Sequence, residues 1–206
     1  MRFKEIHALF TGFTQNWSRR SGFDTLHHRL TPLMCIDPTR PTYIMPPLKW
    51  NFDVAGTAAW ISRNLDITDP DAAVYTYSYS WAAPTTLKLH QALDDIGIEV
   101  KRAMFADPVK RRALQQRVHH YIPWYPAPEF VIPSNVGEAV YTRQSATWPS
   151  GSAMRAAVPH NKHTGYGTIV KEIPMDFPSI NHIYMDDYPA FIEEALRPFS
   201  QLKDAS

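Results

Sequence analysis

The chain has 206 residues, 44% hydrophobic and 20% charged, proportions ordinary for one folded domain, 1–206, with a sizeable core. A formal net charge of +1 gives no electrostatic reason to expect a nucleic-acid or membrane-surface partner, and no apolar run is long enough for a membrane span. The single cysteine, Cys35 in "LMCI", has no partner for an intramolecular disulfide; it reads as a small core residue in a reducing, cytoplasmic setting. The stretch "MRFKEIHALFTGF" has polar residues inside its apolar run and makes a poor signal peptide.

In chain order, residues 3–10 form a short apolar run ended by Thr-Gly and predict a strand. Residues 22–30 space Phe23, Leu26 and Leu30 as a helix does. A strand is expected at 41–45, closed by Pro46 and Pro47. Residues 51–65 place Val54, Ala58, Ile61 and Leu65 on one helical stripe. The β-rich run 71–78 leads into a helix at 81–97, with Leu89, Leu93 and Ile96 inward and Gly97 as its stop. Residues 98–106 predict another strand, and 107–121 are helical for part of their length. Later strands are expected at 136–144 and 167–175, and a last helix at 186–199. Irregular loops are expected at 121–135 and 145–167. Strands alternating with helices point to an α/β fold with a mainly parallel sheet.

At 73–93 a strand meets a helix with no glycine between them, and Ser78 and Ser80 lie at the junction. In an open α/β sheet, ligands sit beyond the carboxyl ends of the strands, where a serine that begins a helix would present its hydroxyl. A nucleophile elbow there needs small residues two positions to either side, because strand and helix approach closely. Around Ser78 those flanks are Thr76 and Ser80; around Ser80 they are Ser78 and Ala82, both small. Sterics favour Ser80. Pro84 falls in the first helical turn, where no backbone hydrogen bond is lost.

The segment "YSYSWAAPTTLKLHQALDDIGIEVKRAMFADPV" resembles the serine α/β-hydrolases in their pattern G-Y-S-W-G-G, helix, G-I-x-V, strand, D-P-V, with Ser78 and Ala82 in place of the flanking glycines. The resemblance covers motifs at 8–15, 73–109 and 179–197. It implies an α/β-hydrolase fold, a mainly parallel central sheet with helices on both faces. It also implies a Ser-His-Asp triad in the chain order serine, acid, histidine. Asp107, at the end of a strand and before Pro108, takes the acid's place. His182, in "NHIYMD" before the last helix, takes the base's place; Asp186 or Asp187 is the alternative acid. An oxyanion hole would use the N–H of Trp81 and that of Phe13 beside Gly12, with Thr11 or Thr14 as alternatives to Phe13. Thr11, Tyr79, Trp124 and Trp148 are the substrate-binding candidates.

The implied activity is cleavage of a small-molecule ester or related acyl bond through a covalent acyl-enzyme, with no cofactor and no metal. A hydrolase fold used only for binding or assembly is the alternative, supported by the missing elbow glycines. A metal site built from His119, His120, His160 and His163 is a further rival, without any supporting ligand pattern.

Overall fold

Strands that are buried on both faces need apolar or paired side chains throughout, and the central runs of this chain have them. β1 (Glu5–Phe10) and β3 (Ala73–Tyr79) are buried along their whole length, and β4 (Val100–Ala106) is buried except at Lys101. They lie side by side in a six-stranded sheet of order β2 (Thr42–Ile44), β1, β3, β4, β6 (Val136–Thr142), β8 (Ile169–Glu172). Every pairing in it is parallel. This is a computed structural model, which describes residues 2–12, 22–32, 34, 39, 41–110, 129–144, 151–157, 167–175 and 182–199.

A parallel sheet needs cover on both faces. On one face Leu9, Tyr75, Tyr77, Tyr79 and Met104 pack with α1 (Gly22–Leu30) and α4 (Pro189–Leu196), through Phe23, Leu26, Phe191 and Ile192. On the other, Ile6, Ala8, Phe10, Val74, Ala103 and Phe105 pack with α2 (Val54–Asn64) and α3 (Ala83–Asp95), through Ala58, Ile61, Leu89 and Leu93. Asp53 caps α2, its carboxylate accepting from the Gly56 N–H at 3.0 Å. The chain leaves β1 to one side for β2 and returns to the other side for β3. That reversal puts the topological switch point between the carboxyl ends of β1 and β3.

Three local expectations change, and a fourth goes untested. Segments read as irregular contain β5 (Glu129–Ile132) and β7 (Ala153–Ala156), which pair in parallel as a separate two-stranded sheet. Each is four residues long, and its partner is distant in sequence. Ile96 is half exposed, because it caps α3 and has left the helical stripe; Gly97 follows it at φ 76°. The last helix divides into a 3-10 turn (His182–Asp187), α4 and a second 3-10 turn (Arg197–Phe199). After β4, residues 107–110 are not helical, and the remainder of the helix expected at 107–121 lies outside the described residues, as does Cys35. Among the described residues no helix is long and apolar enough to cross a membrane.

Two buried polar clusters fix the helices. Arg102 on β4 donates to the Glu194 carbonyl at 2.8 Å and pairs with the Glu194 and Glu138 carboxylates, which anchors α4. On the opposite face His90 of α3 is fully buried, although it lies in the polar-looking stretch "KLHQ". Its Nε2 lies 2.9 Å from the Thr76 hydroxyl. The Asn135 amide donates to the carbonyl oxygens of His90 and Ile98, tying α3 to the end of the β5–β6 connection.

Burial alone pushes the His90 imidazole from its ordinary 6.5 down to about 3. The unfolded chain therefore binds a proton that the folded one refuses between those values. Stability contributed by neutral His90 is complete above pH 6.5 and falls as pH drops towards 3, by on the order of 1 kcal/mol per unit. His7, also buried, is shifted the same way by burial, against the opposing pull of Glu5. His90→Gln should flatten the loss of stability below pH 6.5 relative to the parent chain, as read from urea unfolding across that range.

Candidate active site

Register brings the chemistry-bearing residues together. Tyr79 pairs with Ala106, and Ala106 with Thr142, so Ser80 and Asp107 each stand one residue beyond a paired position on adjacent strands. Asp107 N–H donates to the Thr142 carbonyl at 2.9 Å, and Val109 N–H donates to the Ser80 carbonyl at 3.1 Å. Phe10 pairs with Ser78, which carries Gly12 alongside Ser80 at the switch point.

Ser80 and Asp107 are the two non-glycine residues with positive φ among those described, at 54° and 47°. The left-handed region costs a residue with a Cβ roughly 1–2 kcal/mol. At Ser80 the cost accompanies a junction without a loop: β3 ends at Tyr79, a 3-10 turn (Ser80–Ala82) follows, and α3 starts at Ala83. The flanks Ser78 and Ala82 are fully buried between strand and helix. The Thr86 hydroxyl lies 3.1 Å from Ser78 Oγ and 3.0 Å from the Ala82 carbonyl oxygen, which ties Ser78 to α3.

Ser80, His182 and Asp107 form one hydrogen-bonded chain. Ser80 Oγ lies 2.7 Å from His182 Nε2, and His182 Nδ1 bonds to Asp107 Oδ2. The other carboxylate oxygen of Asp107 accepts from the Gln144 N–H at 3.0 Å. All three side chains are buried. An ionised carboxylate can only accept, so the proton on His182 belongs on Nδ1. Nε2 is then a lone pair facing the Ser80 hydroxyl, able to take its proton. Of the alternative acids, Asp186 is buried nearby and Asp187 is exposed; the carboxylate on Nδ1 is that of Asp107.

The remaining candidates divide. Gly12 packs against the site: a Cβ there would come within 2.7 Å of Tyr79 Cδ1 and 3.2 Å of Ser80 Cβ. Trp81 follows Ser80 as the second residue of the 3-10 turn and is half-buried. Thr11 directs both its N–H and its hydroxyl to the Leu48 carbonyl, at 2.8 and 3.1 Å. Tyr79 is 1% exposed, and its hydroxyl donates to the His182 carbonyl oxygen. Phe13, Thr14, Trp124 and Trp148 lie outside the described residues, as do His119, His120, His160 and His163. Among the described residues no group of three or more histidines, cysteines and carboxylates could hold a metal ion.

Sequence reasoning missed two contributors. Gly151 lies so close to the acid that a Cβ would meet Asp107 Oδ1 at 2.0 Å and Arg143 Cβ at 2.6 Å. One signal was present: glycine is scarce in this chain, so each one marks a position worth explaining. Gln144 acts through its backbone N–H, which leaves no mark in a sequence. No protein-family model matches the chain, and no curated protein matches it.

The left-handed turn and the close glycine each give a test. Ser80→Gly should be more stable than Ser80→Ala by about 1 kcal/mol, since both lose the hydroxyl and only glycine relieves the strained φ. Urea unfolding of the two variants measures the difference. Gly151→Ala should lose about 1–3 kcal/mol, because the new methyl group has to displace Asp107 or the backbone at Arg143. The same unfolding assay reads it, and unchanged stability would mean that the two chain segments separate freely.

Proposed function

We propose that this chain is a serine hydrolase of the α/β-hydrolase class, cleaving an ester or related acyl bond in a small molecule. The observation that supports this most is Ser80 itself: a buried serine at φ 54°, at the switch point of a parallel sheet, hydrogen-bonded to a histidine that a carboxylate orients. A strained strand-to-helix serine is the geometry of a nucleophile elbow. The finer fold assignment belongs to the same proposal: the parallel sheet with helices on both faces is the frame such an elbow needs.

In this reading Ser80 Oγ attacks the acyl carbonyl carbon as His182 Nε2 removes its proton. Asp107 keeps the imidazole in the correct tautomer and stabilises its charged form. The carbonyl oxygen becomes an oxyanion held by the N–H of Trp81, with Phe13 beside Gly12 supplying the second donor. The tetrahedral intermediate collapses, the bond to the leaving group breaks, and His182 returns the proton to that group. Water, activated by His182, then adds to the acyl-enzyme; the carboxylic acid leaves and Ser80 regains its proton. The roles of Trp81 and Phe13 follow the resemblance seen in the sequence, and the proton path follows the hydrogen-bonded chain. Elbow flanks of serine and alanine serve because Ser78 and Ala82 fill the space between β3 and α3 without separating them.

A fluorophosphonate probe, which reacts with activated serines, tests the reading. The parent chain should label, Ser80→Ala should not, and Ser78→Ala should still label at Ser80. His182→Ala should lower the labelling rate on the order of a thousandfold, and adding Asp107→Asn to it should lower the rate little further. A parent chain that does not label overturns the proposal in favour of a hydrolase-like fold used for binding or assembly. Losses from Asp107→Asn and His182→Ala that multiply as independent factors would remove Asp107 from the relay.

A further inference from the structure

We propose that Tyr79 is a positioning residue for His182, its hydroxyl and its ring together holding the imidazole between Ser80 and Asp107. The inference rests on the reading of His182 as the base. His182 opens a 3-10 turn that lies outside the sheet, so no strand pairing fixes its place. Its ring is held at both nitrogens by Ser80 and Asp107. Its backbone is held by Tyr79, whose hydroxyl donates to the His182 carbonyl oxygen. The two rings also stack, with centroids 5.3 Å apart and planes at 27°.

Tyr79 is itself braced by two neighbours. Phe23 of α1 lies at 6.4 Å, and Phe191 of α4 meets Phe23 edge-on at 6.3 Å. The backbone of Gly12 lies so close that a Cβ would come within 2.7 Å of the ring. The phenol therefore has little freedom to follow a wandering histidine. Burial raises its pKa, and Asp186, Asp107 and Asp187 raise it further, so it stays protonated and remains a donor. Consecutive residues of one strand end thus grip the same histidine. Ser80 meets its ring nitrogen and Tyr79 meets its main chain, so the spacing of the two contacts is set by a single peptide unit.

Tyr79→Phe removes the oxygen and keeps the buried ring. The expected result is a fall of about tenfold in the maximal fluorophosphonate labelling rate, the equivalent of one lost hydrogen bond, with the half-saturating probe concentration unchanged. In a His182→Ala background the same change should have little effect. Tyr77→Phe is the control: it removes another buried hydroxyl on the same face of β3, one that lies 3.0 Å from His7 Nδ1. It should label like the parent. Nuclear magnetic resonance gives a readout that needs no turnover, because the Nδ1 proton of His182 should exchange faster with solvent in Tyr79→Phe.

The proposal is overturned if Tyr79→Phe leaves both labelling and exchange unchanged. It is equally overturned if its loss is as large without His182, or if Tyr77→Phe loses as much. A parent chain that fails to label would strike the hydrolase reading alone, since the exchange measurement still decides whether Tyr79 positions His182.

Discussion

A strand that passes into a helix without a loop has to change direction within one residue. Here that residue is Ser80, held at φ 54° between β3 and α3. The turn can exist only if the chain on either side is thin. Ser78 and Ala82 meet that demand on the α3 side, and Gly12 meets it on the β1 side, where even a methyl group would press on Tyr79 and Ser80. Ser78, Ala82 and Gly12 are therefore small for one steric reason, and the carboxyl end of the sheet inherits its shape from it. A left-handed serine persists only where its surroundings over-determine it.

That over-determination comes from buried polar ties as much as from apolar packing. His90, Thr76 and Asn135 hold α3 against the sheet, so the helix that follows the turn cannot swing away. On the other face Arg102 holds α4 through the Glu194 carbonyl and carboxylate. Burial would raise the Glu194 carboxyl, but Arg102, Arg197 and Lys171 outweigh it and keep it below the usual carboxylate range. Buried charge pairs of this kind often add little net stability, yet breaking one partner is expensive. The value of both clusters here is positional: one holds α3, which follows Ser80, and the other holds α4, which follows the turn carrying His182.

Much of this was legible in the sequence. The succession of strands and helices follows hydrophobic periodicity, and the expectation of Ser80, Asp107 and His182 follows the resemblance in chain order, with Ser80 and Asp107 just past strand ends and His182 in a turn before the last helix. Choosing Ser80 over Ser78 needed only the sizes of their neighbours. What stayed hidden depends on groups that a sequence does not display. Tyr79 reaches a carbonyl oxygen and Asp107 a backbone N–H, and neither partner has a residue type. The burial of His90 within the polar stretch "KLHQ" depends on Thr76, a partner that sits on the preceding strand. β5 and β7 are each too short to register alone, and their pairing joins Glu129 to Ala153 across a long separation.

The second left-handed residue, Asp107, bears on why a serine and a carboxylate from neighbouring strands can share one histidine. Adjacent strands run about 4.8 Å apart. An imidazole with a hydrogen bond at each nitrogen spans more than that. Side chains continuing the pleat from paired positions would stand too close to admit it. Both residues instead leave the pleat one step beyond the Tyr79–Ala106 pair, each through a positive φ. Helix α3 departs over one face of the sheet. The turn carrying His182 arrives over the other, against Tyr79 and α1, and its ring bridges the gap between the two strand ends. The space is closed on both flanks by a glycine, Gly12 beside Ser80 and Gly151 beside Asp107. Growth at either glycine would push on one end of the bridge: at Gly12 a Cβ would press on Tyr79 and Ser80, and at Gly151 it would press on the Asp107 carboxylate itself.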